Sequence, residues 1–551
     1  MSREGKMDKR LEEKENKMQS RKVVPEKLPG EAYRTLEDIV GEDWVSEDRA
    51  IVEGYSKEFM PHSGLKKHGK DAACIPSSVV LPATREEVQA IVRCANRYKV
   101  PFAPFATGFA LTVPETPGTI AIDLSRMNRI LNIDTKNRTA TIQPYATYAQ
   151  LNAEAMKRGL WNGGIPLAGS QCKVIANYLF QALWQTAVRF PQWGGPFQIV
   201  SLEWVLPNGD IVKTGSSTIA GAEDFFWHSP GPDLMGLLRG ALGSLGIVTR
   251  MTVKLYPWVG GSFPETRSCW IGEPPTHDTP DTTPLPERHR IHWIEYPDFD
   301  SEIEGMHQIA ESGIGSHING TDTAYHCFYT QPTEELALKR YNEGFFPDYL
   351  VYVIISGISS ERQIDYEERV LKQIVTETGG KFLTDEKILK ESGSWNLDAF
   401  RSQNVARMLR LGGFAPFRLP ITRLDFCSRL DEKFRELIKR YPDHPSPLDE
   451  SPPFIYILDR GHHCVFEVDF YYHTHQVKEL EISTKVFMEE FIDSTREDLG
   501  YYFGGVAGEP FTSMCGPVIG PDVHLLLKRI KKAFDPNDIA APGRLVKVKE
   551  T

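Results

Sequence analysis

The sequence predicts an α+β protein in two parts, on three observations. Apolar strand-like runs and amphipathic helices follow one another without the regular βαβ alternation of a dinucleotide-binding sheet. A stretch crowded with proline and glycine, residues 257–286, then breaks the pattern. Beyond it, residues 288–502 begin a second series of strands and helices. The 551 residues, at roughly 100–200 per domain, leave room for both parts.

Residues 32–55 read as helical, with Leu36, Ile39 and Val40 on one side, and residues 73–81 suit a buried strand. Residues 84–98 carry a helix signature. Thr84 can cap it, Glu87 stands three residues later as in a capping box, and Val88, Ile91, Val92 and Ala95 make the inward stripe. Pro101 is expected to stop that helix. Residues 119–123, 130–133 and 139–143 are strand-like, and 148–158 form a helix closed by Gly159. Pro207-Asn208-Gly209 joins 199–206 and 210–214 as a hairpin. Residues 235–242 are expected to be helical and 246–256 a strand. In the second part, strands are expected at 292–296, 349–356, 454–458 and 463–471, with helices at 360–376 and 478–499. A last helix, 523–534, should turn residues 525–527 and Ile530 inward.

The 63 basic and 74 acidic side chains leave a net charge of −11, which offers no general attraction to nucleic acid or anionic lipid. No apolar run approaches the ~18 residues of a membrane helix, and no secretory apolar core opens the chain. A cytoplasmic protein without membrane insertion is the expectation. Residues 1–30, dense in charge and poor in large apolar side chains, read as a disordered or docking tail. The parts that follow are delimited as 31–265, 266–505 and a closing segment 506–551. Eight scattered cysteines with no C-x-x-C pair argue for reduced thiols and against a metal centre.

Two segments could bring main-chain amides close to a pyrophosphate, which requires small residues at the approach. The first is Phe105-Ala106-Thr107-Gly108-Phe109-Ala110; the second runs from Gly163 through Pro166, Gly169 and Ser170. An ordinary turn is the competing reading of each. Neither matches G-x-G-x-x-G, and the chain has no phosphate-binding G-x-x-x-x-G-K-[ST] loop.

The order of five motifs, however, resembles the flavin-binding half of the vanillyl-alcohol oxidase/p-cresol methylhydroxylase (PCMH-type) superfamily. They are IPSSVVLPATREEVQAIVRCANRYKVPFAPFATG, IAIDLSRMNRIL, ATIQPYATYAQL, LEWVLPNGDIVKTGS and GPDLMGLLRGALGSLGIVT. The terminal FDPNDIAAPGRL is similar to the family's closing motif. The resemblance implies a two-part PCMH-type FAD-binding domain with an α/β cap domain over the flavin ring. Carried over by position, residues 105–110 would wrap the pyrophosphate. Pro166, Gly169, Ser170, the backbone at Gly246, Ile247 and Val248, and Arg544 of the closing motif would complete the FAD site.

In the cap, Arg460-Gly461-His462-His463 resembles a family segment in which the second histidine is bonded to a ring methyl of FAD, here His463. A strand beginning with two histidines is the bland alternative. The phenol-binding Arg late in the family's cap is replaced by Phe503, while Tyr502 keeps the aromatic hydroxyl. With a period of two, Glu467 and Asp469 share the face of His463 and become candidates for a catalytic base beside Tyr502. Arg407 and Arg410, three apart, could clamp a carboxylate. The implied activity is an FAD-dependent oxidoreductase that moves hydride from an aromatic or benzylic alcohol-type carbon to flavin N5. Electrons would pass on to oxygen or to a separate electron-accepting subunit, and self-association is compatible with the family. Two alternatives stay open: a D-lactate- or glycolate-type 2-hydroxy-acid dehydrogenase, or a flavoprotein subunit without its own substrate site.

Overall fold

In the computed structural model the described residues are 26–56, 74–107, 114, 116–163, 171–179, 198–262, 285–321, 323–330, 334–392, 412–418, 421–444, 453–473, parts of 476–489, and 521–548. The first part holds helices α1 (Gly30–Val40), α2 (Arg49–Gly54), α3 (Arg85–Tyr98), α4 (Tyr148–Met156) and α5 (Val174–Leu179). Its first sheet contains β1 (Val45–Ser46), β2 (Ser78–Val80), β3 (Phe102–Phe105) and β4 (Ile120–Asp123), in the order β1-β2-β4-β3. Both β2 and β3 lie parallel to β4. Next come β5 (Ile130–Asp134), β6 (Thr139–Ile142) and β7 (Leu160–Trp161), then β8 (Ile199–Val205), β9 (Ile211–Lys213), β10 (Ile247–Lys254) and β11 (Tyr256–Pro257). An antiparallel sheet orders five of these as β5-β6-β10-β8-β9, and β7 pairs with β11.

Local signals account for much of this. The Thr84 hydroxyl accepts a hydrogen bond from the Glu87 amide at 3.1 Å, and the Glu87 carboxylate accepts from the Ala83 amide at 2.7 Å. The cap therefore closes one residue further out than the reciprocal box. The stripe of α3 is buried as expected and packs with Phe102, Ile120 and Ile122. Val205 and Ile247 of the second sheet enter the same core, which ties the two sheets together.

The second part contains β12 (His289–Glu295), β13 (His317–Thr321), β14 (Leu350–Ser356), β15 (Lys381–Phe382), β16 (Gly412–Arg418), β17 (Ile421–Thr422), β18 (Phe454–Leu458) and β19 (His463–His473). They form one sheet ordered β15-β12-β14-β13-β18-β19-β16, with β17 on β19. Its helices are α6 (Phe299–Glu311), α7 (Thr323–Thr330), α8 (Glu334–Asn342), α9 (Glu361–Glu377), α10 (Glu386–Glu391) and α11 (Cys427–Ile438). Side chains of α6, α9 and α11 cover one face through Met306, Leu371 and Leu430. On the other face Phe454, Tyr456 and Val465 share a core with Trp161 and Trp258 of the first part.

The chain then returns. Helix α12 (Pro521–Phe534) carries Lys531 into the first part, where its ammonium is fully buried. It donates to Ser244 O at 2.9 Å, Ala540 O at 2.7 Å and Asp535 Oδ2 at 2.5 Å. Phe534 stacks on Trp204 at 5.8 Å. Phe102 and the closing segment exchange main-chain bonds, Phe102 N to Ile539 O and Ala541 N to Phe102 O.

Four expectations are corrected. Residues 32–55 divide into α1 and α2 because Gly41, at φ 90°, ends the first helix. Residues 235–242 hold only a three-residue turn, Met235–Leu237, since Gly240 and Leu242 turn to positive φ. Residues 525 and 526 do not face inward: Leu525 and Leu526 are about half exposed, and Lys531 and His524 take the buried side instead. Helix α3 also ends earlier than Pro101, at a left-handed Lys99. Among the described residues no helix is long and apolar enough to cross a membrane.

Replacing Lys531 with Met strands Asp535 in the core and should cost about 3–5 kcal/mol, read from urea unfolding. A second test concerns Glu302 of α6, fully buried with neither carboxylate oxygen hydrogen-bonded. Burial, seconded by the charge of Asp431, raises its pKa well above the ordinary value. The native carboxyl stays protonated while the unfolded one ionises. This site's contribution is therefore fully present below the unfolded pKa and falls by about 1.4 kcal/mol per pH unit above it, until the native group ionises. Glu302→Gln should gain stability over the parent as pH rises from about 5 to about 8, measured by urea midpoints; an advantage independent of pH contradicts this.

Candidate functional site

The predicted cradle begins where β3 ends. Phe105 packs edge-on against Tyr55 at 4.7 Å, and Tyr55 donates to Asp123 Oδ2 at 2.5 Å. Burial, then the Asp123 contact, pushes the Tyr55 hydroxyl pKa up. Thr107 next reaches across to the second segment: its Oγ1 accepts from the Lys173 amide at 3.4 Å. The Lys173 ammonium sits 4.2 Å over the Tyr145 ring and donates to Gln171 O at 3.1 Å. Burial lowers its pKa, with Cys172 and Asp123 acting in the opposite sense. One half-buried cation thus stands at the junction of the two segments.

Close main-chain approach forms the other wall. At Gly243, φ 85°, an added Cβ would lie 2.4 Å from Pro104 on β3. At Gly246, φ 120°, it would lie 2.2 Å from Val205 O and 2.4 Å from Trp204 Nε1. Only glycine fits either position. Between them, Ser244 Oγ donates to Ala541 O at 3.0 Å, and buried Arg544 donates to Leu242 O at 3.2 Å. Residues 104–107, 242–246 and 541–544 therefore share one neighbourhood.

The cap-side surface is the sheet face that carries Trp293, Tyr352, Phe454 and Tyr456. Val465 belongs to it, so His463 and Glu467 point the same way by strand alternation. Burial lowers the His463 pKa, against the pull of Asp459, so the ring is neutral at physiological pH. A neutral imidazole is the form able to act as a nucleophile. Glu467 is buried at 2 % exposure.

Comparison with known proteins decides the cofactor. Residues 76–215 match the FAD binding domain family. The chain is 23 % identical over 536 residues to the flavoprotein subunit of 4-cresol dehydrogenase [hydroxylating] from Pseudomonas putida, covering 91 % of this chain and 93 % of that one. Its fold matches p-cresol methylhydroxylase solved with substrate bound, at a TM-score of 0.76, 19 % identity, and coverage of 96 % and 100 %. The chain thus carries an FAD binding domain over residues 76–215 and shares the fold of PCMH-type flavoproteins along nearly its whole length. A 4-ethylphenol oxidase from Gulosibacter chungangensis also matches in fold, at a TM-score of 0.72, 18 % identity, and coverage of 95 % and 98 %. A mitochondrial D-lactate dehydrogenase [cytochrome] from Arabidopsis thaliana is 30 % identical over 237 residues, 42 % of this chain and 38 % of that one.

The protein is an FAD-linked oxidase or dehydrogenase, and FAD is its cofactor. The residues fit that group: the half-buried cation Lys173 is joined through its amide to Thr107 of the cradle, and the glycines at 243 and 246 exclude any Cβ where main chain must come close. Of the residues anticipated for FAD, Phe105, Ala106, Thr107, Gly246 and Arg544 fall in or beside this neighbourhood. Ile247 and Val248 bury their side chains in the cores, leaving only their backbone available. Gly108, Phe109, Ala110, Pro166, Gly169, Ser170 and Tyr502 lie outside the described residues, as do Arg407 and Arg410. Asp469 is placed on β19 opposite Pro416. Lys173 is not among the residues anticipated for FAD; its being the first charge after the uncharged run from Gly163 was the available signal.

Gly246→Ala should cost about 2 kcal/mol or more, from overpacking and an unfavourable φ, and should weaken FAD retention. Gly159, also at positive φ but with nothing within 4 Å of an added Cβ, is the control. Its alanine variant should lose about 1 kcal/mol and keep its FAD. Equal losses at both sites by thermal unfolding would contradict the packing argument.

Proposed function

We propose that the protein oxidises an uncharged aromatic or benzylic alcohol-type substrate held between the FAD cradle and the cap sheet. The observation that carries this is the makeup of the cap face meeting Trp161 and Trp258. Among its described residues on β12, β13, β14, β18 and β19, alternation places aromatic, aliphatic, histidine and neutral polar side chains with the acids Glu295, Glu467 and, by its position on the strand, Asp469, and neither Lys nor Arg. A 2-hydroxy acid would bury its carboxylate there without a cation, which is costly. An aromatic alcohol suits it.

Bound FAD supplies the acceptor for a hydride leaving the substrate carbon. The chain does the rest. Lys173 neutralises part of the diphosphate charge. Trp161, Trp258 and Phe454 keep water from the junction. Glu467, with Asp469 two residues along the same strand and Tyr502, is assigned to take the proton of the substrate hydroxyl. Electrons then leave for oxygen or a partner electron acceptor. Should the FAD be bonded as the family resemblance implies, acid-denatured protein carries flavin fluorescence that His463→Ala abolishes.

Anaerobic mixing tests the reading. Aromatic alcohols should bleach the flavin absorbance, and D-lactate and glycolate should not. Bleaching by the hydroxy acids would favour the dehydrogenase alternative; bleaching by neither class would favour an electron-relay subunit. For the cofactor contact, Lys173→Met should weaken FAD binding about 10- to 100-fold, the worth of a charge-assisted hydrogen bond, in a fluorescence titration of apoprotein. Lys173→Arg should recover most of it. An unchanged dissociation constant would remove Lys173 from the site.

A further inference from the structure

Two buried polar side chains on the cap face make no side-chain hydrogen bond. Asn319 of β13 and Tyr456 of β18 are each 0 % exposed. Neither end of the Asn319 amide makes a hydrogen bond, and neither does the Tyr456 hydroxyl. They stand directly opposite each other in the β13–β18 register. Side chains so paired rise from the same face about 5 Å apart. Both belong to the face that looks toward Trp161 and Trp258, since Tyr456 is part of that core while neighbouring Ile455 joins the opposite one.

Burying an amide and a phenol with their hydrogen-bonding capacity unused is unfavourable, and the same shapes in Leu and Phe would avoid it. Their retention makes sense if something arrives that uses them. The pair offers donors and acceptors but no charge. Around it stand Tyr352 opposite Asn319, Val465 opposite Tyr456, and Glu467 one diagonal step away, opposite Phe454. The setting is aromatic and aliphatic, with one carboxyl at its edge.

We infer that Asn319 and Tyr456 form the hydrogen-bonding end of the substrate site and receive the hydroxyl group of a neutral aromatic alcohol or phenol. This rests on the reading that the cap face and the FAD cradle enclose the substrate, and it adds which residues read its polar end. Asn319 can accept from the hydroxyl proton while Tyr456 donates to its oxygen, so one neutral hydroxyl satisfies both. A carboxylate would gain no cation here. The pair also stands one step from Glu467, which brings the bound hydroxyl within range of the proposed base.

The test uses flavin-loaded protein with 4-hydroxybenzyl alcohol as probe, its binding followed by perturbation of the flavin spectrum and its oxidation by anaerobic bleaching. Asn319→Leu and Tyr456→Phe should each raise the probe's dissociation constant about 10-fold. Thermal stability without probe should stay the same or rise, because an unsatisfied buried group has been removed. Tyr456→Phe, which deletes a single oxygen, keeps the test open where Asn319→Leu fails to fold. Unchanged probe affinity in Tyr456→Phe, with bleaching intact in the parent, overturns this inference alone. A lowered melting temperature with unchanged affinity also overturns it, since it assigns the pair a structural role. A parent protein that neither binds nor is bleached by the probe overturns the inference together with the reading beneath it.

Discussion

One buried ammonium closes the molecule on itself. Lys531 enters the first part from a helix near the end of the chain and binds Ser244 O, Ala540 O and the carboxylate of Asp535 with its side chain fully buried. Removing a charge from water is expensive unless geometry supplies every partner. Here it does. Because Ser244 lies between Gly243 and Gly246, the same contact that returns the chain also fixes the backbone wall beside the proposed FAD cradle. The closing segment then bonds along Phe102 of β3, the strand that delivers the first cradle. Fold closure and the proposed cofactor cradle share their neighbourhood.

The cap follows a different logic. Its sheet buries one face under helices in a dry apolar core, and turns the other toward the first part. On the helix face, Glu302 is tolerated by remaining protonated. On the domain-facing side, polar groups are set among aromatic rings. A site made from such a face can exclude water and still offer a few directional contacts, which is what selective oxidation of a small polar molecule requires.

Legibility in the sequence depended on range. The Thr84 cap, the Pro207-Asn208-Gly209 hairpin and the strands expected at 454–458 and 463–471 were readable because neighbours within a few residues determine them. The inward face of the last helix was not: Leu525 and Leu526 look like core residues, but a lysine whose partner Ser244 lies 287 positions away decides the orientation. Residues 235–242 are apolar enough for a helix, yet Gly240 and Leu242 turn to positive φ and break the run just before the tight approach at Gly243. The motif order revealed the flavin fold, while Lys173 and the Asn319–Tyr456 pair emerged only once distant segments were brought together.

The account's central claim is that distant stretches of main chain close jointly around FAD. Hydrogen–deuterium exchange on FAD-loaded and FAD-stripped protein tests it most directly. Stripping should raise exchange together in residues 102–107, 171–179 and 242–248, with the helix-covered face of the cap unchanged. Exchange that stays the same in those three segments, or changes in the cap alone, would contradict it.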